Sequence, residues 1–287
     1  MLYYAYQLND DLIAPFRSWA EKSLSMSASF GRSFSALMPA QFAAGLEMMS
    51  RFKLTHTRPP FDITRVKFGN ADAQVSEEIA LSLPFGNLLH FKKDSDVPQP
   101  RVLVVAPLSG HFPTLLAGTV RTLLSDHDVY ITDWANARDV PLSAGRFGID
   151  DYIDYIIRFL EEMGPGAHVL AVCQPCVQTL AAAAVMARQN NPAAPRSMTL
   201  MAGPIDPRES PTSVNELAVK KSLGWFESSV IAQVPGRFGG AGRRVYPGFI
   251  QLTAFISMNL ERHKEAHRKM YEHLAANELA VKEDADR

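Results

Sequence analysis

The sequence contains only two cysteines among its 287 residues, and these two stand three positions apart at Cys173 and Cys176. Such a pair excludes the disulfide framework of small secreted domains and fits a reducing compartment such as the cytosol. No apolar run approaches the roughly 20 residues that a membrane-spanning helix needs. The N-terminus begins without a basic segment, so we predict neither a secretory signal nor a membrane span.

An excess of charge of either sign is also missing. Lys and Arg number 29 against 30 for Asp and Glu, so no general electrostatic attraction to nucleic acid is expected. His263 and His267 stand four apart on a charged helical segment. The glutamate between them, Glu265, does not stand where an H-E-x-x-H zinc motif requires it. We therefore predict no nucleic-acid partner, no metal and no cofactor.

Apolar runs and helical patterns alternate through the middle of the chain. A hairpin around 79–91 is followed by predicted strands at 102–106, 129–133, 168–172 and 198–202, with helices near 113–125, 149–162 and 176–189 between them. This alternation requires a parallel sheet with right-handed crossovers. The order predicts an α/β fold of the α/β-hydrolase type, with a mostly parallel sheet that lacks its last strands.

The chain divides by pattern into three regions. Residues 1–62 are predicted to be helical and end at a proline pair, 63–208 form the partial α/β core, and 209–287 form a helical cap or lid. Aromatic and methionine residues are frequent in the first region. We expect this stripe to form core packing, and an exposed adhesive surface is the alternative.

The segment 171–175 lies where a predicted strand breaks directly into an Ala-rich helix. This is the position of the G-x-S-x-G nucleophile elbow. Here Cys173 occupies the serine position, while Ala171 and Pro175 replace the two glycines. Cys173 is therefore the candidate nucleophile for acyl transfer. Two alternatives remain open: an unreactive core cysteine, or a C-x-x-C dithiol formed by Cys173 and Cys176, as in thioredoxin-like proteins.

Acyl transfer also needs two backbone N–H groups directed at the developing oxyanion. One should come from Gln174, the residue after the nucleophile, and the other from the loop after the first parallel strand. In that loop Ser109 is the candidate donor and Leu108 is the neighbouring alternative. His111 in the same loop would either orient a substrate or cap a helix.

Several long stretches resemble the intracellular polyhydroxyalkanoate depolymerases, and the similarity extends along nearly the whole chain. The stretches that carry it are 106–112, 130–134, 146–155, 169–177 and 202–206. The resemblance implies an α/β-hydrolase-like enzyme with a cysteine nucleophile, which falls on Cys173. It further implies hydrolysis of ester bonds in poly(3-hydroxybutyrate) at the surface of cytoplasmic storage granules.

The resemblance covers about the N-terminal two thirds of a full-length family member. A catalytic Asp and His are expected to follow two further strands, and neither strand is predicted before Arg287. We therefore expect a missing C-terminal portion to supply both residues and expect little turnover by this chain alone. Asp206 is a possible substitute acid, against a turn-forming role. A non-catalytic granule-binding fragment is the alternative function.

Overall fold

The computed structural model describes residues 2–29, 39–51, 57–69, 71–108 and 112–276. The chain forms two compact units, one of Met1–Thr57 with Phe249–Arg287 and the other of Arg58–Gly248. We refer to them as the helical unit and the sheet unit. No helix in the described ranges is long and apolar enough to cross a bilayer.

Nine α-helices are numbered here in chain order within the described residues. They are α1 Leu2–Ser29, α2 Ala40–Arg51, α3 Ala117–Leu123, α4 Ile149–Met163, α5 Cys176–Arg188, α6 Ser213–Lys220, α7 Leu223–Ser229, α8 Gly248–Met258 and α9 Leu260–Ala275. Short 3-10 helices cover Pro113–Leu116 and Leu142–Ala144.

The strands of the described ranges form one seven-stranded sheet and one small hairpin. The sheet contains β1 Arg65–Phe68, β2 Ala71–Leu83, β3 Gly86–Lys93, β4 Arg101–Val105, β5 Asp128–Trp134, β6 His168–Val172 and β7 Ser197–Met201. The hairpin pairs β8 Ala232–Gln233 with β9 Arg244–Val245.

The sheet has the strand order β1-β2-β3-β5-β4-β6-β7. Its first three strands and β5 pair antiparallel, and β5, β4, β6 and β7 run parallel. In the α/β-hydrolase arrangement, an antiparallel hairpin is followed by parallel strands, and the second of these lies between the hairpin and the first. Strands β2 to β7 follow this order, with β5 between β3 and β4, and β1 is an extra strand. The predicted fold class is confirmed.

The central strand β4 shows why its residues form a strand. Its run of valine and leucine is buried on both faces, as expected when helices cover both sides of a parallel sheet. Successive side chains alternate between two hydrophobic clusters: Leu103 and Val105 pack with α4 and α5, whereas Val102 and Val104 pack with Leu124 and Ile131. The core therefore has two layers with the sheet between them.

Helix α4 follows the expected amphipathic pattern, and its boundaries are visible in the sequence. Its buried stripe contains Tyr152, Ile156 and Phe159. Asp151 accepts a hydrogen bond from the Gly148 N–H at 2.7 Å, which satisfies one free donor at the start of the helix. Gly164 ends the helix with φ +77°.

The predicted helical cap differs in detail. The helical pattern of 214–234 resolves into the short helices α6 and α7 and then strand β8, because Val230 ends α7 and the chain turns into the hairpin. No described strand joins the large sheet after β7, so β7 is an edge strand.

Arg243 ties this hairpin region to the core of the sheet unit. It is 7% exposed, and its guanidinium donates to the carbonyl oxygens of Val140, Pro141 and Gly145 at 2.6 to 3.2 Å. The same group lies 4.9 Å from the ring centre of Phe85. The planar guanidinium group has five N–H donors, so one arginine can bond to the three carbonyl oxygens of this loop at once.

Replacing Arg243 with leucine should lower the free energy of unfolding by about 3 kcal/mol, because it leaves three buried or half-buried carbonyls without a donor. Urea denaturation followed by circular dichroism would measure the change. The matched variant Arg244→Leu breaks only an exposed ion pair with Glu227 and should cost less than about 1 kcal/mol. Equal losses in the two variants would contradict the assigned role.

Candidate active site

The junction between β6 and α5 has the geometry of a nucleophile elbow. Cys173 follows the strand directly, is exposed, and has φ +67°, a left-handed conformation that non-glycine residues seldom adopt. Its N–H donates to the Met201 carbonyl at 2.7 Å, and its own carbonyl accepts from the Cys176 N–H at 3.2 Å. These two bonds hold the strained turn with the Cys173 side chain in solvent.

The residues that replace the two glycines of the elbow pattern fit the structure. Ala171 is fully buried within β6, so its methyl group adds to the core. Pro175 precedes α5 with φ −70°, where proline's fixed φ is suitable and its lack of an N–H costs nothing. The close backbone approach occurs instead at Gly203 after β7, where an added Cβ would overlap Cys176.

Cys176 has a structural place. It is 0% exposed, and its Sγ lies 3.4 Å from the Ala171 carbonyl oxygen and 3.5 Å from that of Met201. Burial raises the pKa of the Cys176 thiol. A thiol kept neutral and enclosed is unsuited to rapid dithiol exchange. This placement weighs against the C-x-x-C oxidoreductase alternative.

Gln174 contributes both its backbone and its side chain. In the described part of the chain, its N–H donates to no backbone carbonyl, which leaves this group available for an oxyanion. Its side-chain Oε1 accepts a hydrogen bond from the Leu108 N–H at 2.9 Å. The Leu108 amide is therefore already engaged, which disfavours it as the second oxyanion donor. In the sequence, only the long polar side chain directly after the candidate nucleophile signals this link.

The predicted second donor, Ser109, lies outside the described residues, as do Gly110 and His111. The start of their loop is held at Ala106 by three hydrogen bonds. The Ala106 N–H donates to Thr132 Oγ1 at 2.9 Å. The Ala106 carbonyl accepts from Trp134 Nε1 at 2.8 Å and from the Tyr152 hydroxyl at 3.3 Å. Burial raises the pKa of Tyr152, so this hydroxyl remains a donor.

Comparison with known protein families identifies the C-terminal part of the chain. Residues 202–287 match the family model described as PHB de-polymerase C-terminus. This part of the chain is similar to the C-terminal part of PHB depolymerases. The matched region begins after β7 and so lies C-terminal to Cys173. No curated protein sequence matches the chain.

Solved structures with a similar fold are distant. A naproxen esterase of Bacillus subtilis is 13% identical with a TM-score of 0.35, and the match covers 62% of this chain and 59% of that one. A thioesterase domain from the curacin biosynthetic pathway is 16% identical with a TM-score of 0.34, over 50% of each chain. EstE5 is 15% identical with a TM-score of 0.37, over 63% of this chain and 68% of that one. The chain thus spans between 50% and 68% of the length of these structures.

Histidines of the sheet unit lie at the opposite edge from Cys173, as far as the unit is described. His168 starts β6 and contacts Ser197 Oγ at 2.7 Å, and His90 contacts Asp128, the first residue of β5, at 2.7 Å. His127 contacts Asp126 at 2.6 Å just before β5. Cys173 follows the carboxyl end of a parallel strand, so none of these three histidines is placed to act as its base.

Asp206, the possible substitute acid, is bound within its own turn. Its two carboxylate oxygens accept from Arg208 Nε at 2.8 Å and Arg208 Nη2 at 2.7 Å. This pairing lowers the pKa of Asp206. Its carbonyl also accepts from the Glu209 N–H at 3.1 Å. The turn-forming role is favoured. In the described ranges no group of three or more His, Cys, Asp or Glu residues is arranged to hold a metal.

The two cysteines should react very differently with a thiol reagent. Because Cys173 is exposed and Cys176 is enclosed, we expect one fast thiol in the native chain and a second that reacts at least ~100-fold more slowly until urea unfolds the protein. Absorbance after adding an aromatic disulfide reagent measures both phases. Cys173→Ala should remove the fast phase alone. A fast phase that survives this substitution would show that the exposed thiol is misassigned.

Proposed function

We propose that this chain carries the nucleophile of an ester hydrolase that acts on the storage polyester poly(3-hydroxybutyrate). The observation that carries the proposal is the exposed Cys173 side chain at φ +67° on the turn between β6 and α5. The match of residues 202–287 to the model described as PHB de-polymerase C-terminus supports the substrate class. The proposed site of action is the surface of polymer granules in the cytoplasm.

The proposed reaction begins when the Cys173 thiolate sulfur forms a bond to the ester carbonyl carbon. The carbonyl electron pair moves to oxygen, and the resulting tetrahedral intermediate is stabilised by backbone N–H donors. The bond to the alkoxide oxygen then breaks, and the alkoxide takes a proton and leaves as the hydroxyl end of the polymer. Water attacks the thioester, loses a proton to the general base, and releases the carboxylic acid and the thiolate.

The proposed oxyanion donors are the N–H groups of Gln174 and Ser109. The Gln174 N–H belongs to the elbow itself, so its direction is fixed with that of Cys173. The side chain of Gln174 supports the second donor indirectly, because it holds the Leu108 N–H immediately before Ser109. We therefore assign Gln174 two roles, one through its backbone and one as a positioning residue.

The general base and its acid partner are proposed to come from a further strand-bearing segment that pairs with β7. This edge strand is open to pairing, since Met198 and Met201 are 36% and 46% exposed. In the α/β-hydrolase arrangement the acid and histidine follow the nucleophile in chain order on later strands. Without them the chain should acylate slowly and release product more slowly still.

Cys173→Ala should abolish acylation by a soluble aryl ester of 3-hydroxybutyrate, and Cys176→Ser should leave acylation within about threefold of the parent chain, because only Cys173 is exposed. Mass spectrometry of peptides would locate the acyl group, and release of the aryl alcohol would give the rate. This assay detects the nucleophile even where turnover is slow.

Acylation that persists in Cys173→Ala would contradict the assignment of Cys173 as the nucleophile. Insulin reduction that requires both cysteines would favour the dithiol alternative. Binding to polymer particles with no acylation of any cysteine would favour the non-catalytic granule-binding fragment.

Gln174→Ala should lower the acylation rate constant by about 10- to 100-fold with little change in KM, because the loop that supplies the second N–H loses its link to the elbow. Gln174→Glu keeps an acceptor oxygen for the Leu108 N–H and should recover most of the rate. Saturation kinetics on the soluble ester separate the two constants. A change in KM alone would instead indicate a role in substrate binding.

A further inference from the structure

Helix α1 exposes several large apolar side chains along one face. Leu8, Leu12, Phe16 and Trp19 are 62%, 64%, 64% and 54% exposed. The sequence pattern favours core packing for the aromatic residues of this region, whereas Phe16 and Trp19 are exposed in the structure. We call these four side chains the α1 stripe.

Two of the side chains that α1 buries away from this stripe are polar. Gln7 and Arg17 are 9% and 8% exposed, and Arg17 Nη2 lies 2.6 Å from Asp10 Oδ1. Tyr3 and Ala20 complete the buried positions at 5% and 0% exposed. The helical unit therefore encloses an ion pair while it leaves two aromatic and two leucine-sized apolar groups in water, which is unfavourable unless another surface covers them.

The α1 stripe is continuous along the helix. At about 100° per residue its four side chains fall within an arc of about 80°, and they span about 17 Å along the axis. The nearest charged residues by helical position, Asp11 and Lys22, lie beyond one margin and have opposite signs. The stripe is thus an uncharged apolar strip.

We propose that the α1 stripe adsorbs the chain to the surface of an uncharged aliphatic polyester, a contact separate from the ester-binding site at Cys173. This inference rests on the proposed function for the identity of the polymer. It places the polymer contact on the helical unit, where no catalytic residue is assigned.

Charge complementarity favours this surface over an anionic bilayer. Interfacial helices that bind anionic lipids carry a lysine- and arginine-rich polar face. In α1 the two basic residues are Arg17, which is enclosed with Asp10, and Lys22. Three acidic residues, Asp10, Asp11 and Glu21, outnumber them. A neutral polyester carries no charge, so a helix that contacts it needs no basic side chains.

The sequence also disfavours a second copy of the same helix as the partner. A two-helix seam needs apolar residues repeated at alternating spacings of three and four over several heptads. The repeat that starts at Leu8 meets Pro15 and Lys22, and the one that starts at Asn9 meets Ser23. The first repeat is interrupted by proline and a charge, and the second contains polar residues at Asn9 and Ser23 beside Leu12, Phe16 and Trp19.

The test compares binding of 287-residue chains that all carry Cys173→Ala, so that no turnover occurs. The stripe variant adds Leu12→Gln and Trp19→Gln, which retain helix propensity. The matched control adds Val219→Gln and Leu223→Gln, which alter side chains 87% and 76% exposed outside the stripe. Circular dichroism verifies that each variant is folded before cosedimentation with amorphous poly(3-hydroxybutyrate) particles.

We expect the stripe variant to lose at least about tenfold in its bound-to-free ratio and the control to stay within about twofold of the parent. Equal binding by parent and stripe variant, or no binding by the parent, overturns the proposal. So does binding to phosphatidylglycerol vesicles in preference to polymer. A parent dimer that the stripe variant converts to monomer in sedimentation velocity, with polymer binding unchanged, assigns the stripe to self-association instead.

These results are independent of the assignment of the nucleophile. Loss of acylation in Cys173→Ala tests the chemistry on a soluble ester, whereas the adsorption assay uses chains that lack that thiol. Failure of one assay therefore leaves the other interpretable.

Discussion

The left-handed turn at Cys173 is the constraint on which the candidate site depends. A residue with a Cβ costs about 1–2 kcal/mol in this conformation, and the fold holds it there through the Cys173 N–H bonded to Met201 in the next strand. Gly203, directly after that strand segment, allows the backbone to contact Cys176 at the start of α5. Strand pairing, glycine placement and a buried thiol thus act together to keep the Cys173 side chain exposed.

The second half of the site depends on a set of hydrogen bonds that converge on the loop after β4. Ala106 is bonded through both its N–H and its carbonyl to buried side chains of β5 and α4. Two residues further along, the Leu108 N–H donates a hydrogen bond to Gln174 Oε1. The loop is therefore fixed at its base by the core and further along by the residue next to the nucleophile. The loop after β4 and the turn after β6, which are far apart in sequence, are thus held together by a hydrogen bond.

Patterns in the sequence predicted the parts of the fold that depend on local periodicity. The apolar run of β4 and the stripe of α4 appear where they were expected, because each buries side chains at a spacing that the strand or helix dictates. The position of Cys173 followed from the same alternation. The Gln174–Leu108 link joins residues 66 positions apart, and no spacing rule encodes it. The stripe of α1 was visible as an apolar pattern, but whether it faces a core or a surface depends on tertiary packing.

An insoluble polymer substrate separates two tasks that a soluble substrate combines. Under the proposed function, breaking one ester bond needs a few atoms in fixed positions, and the turn at Cys173 with the Gln174–Leu108 hydrogen bond would supply them. Remaining at a solid surface needs many weak apolar contacts that tolerate irregular geometry, and large exposed side chains such as Phe16 and Trp19 suit that task. Adsorption raises the local concentration of ester bonds without altering the chemical barrier. Under the proposed function, an apolar strip on a helix with no assigned catalytic residue would let adsorption and ester cleavage each meet its own physical requirement.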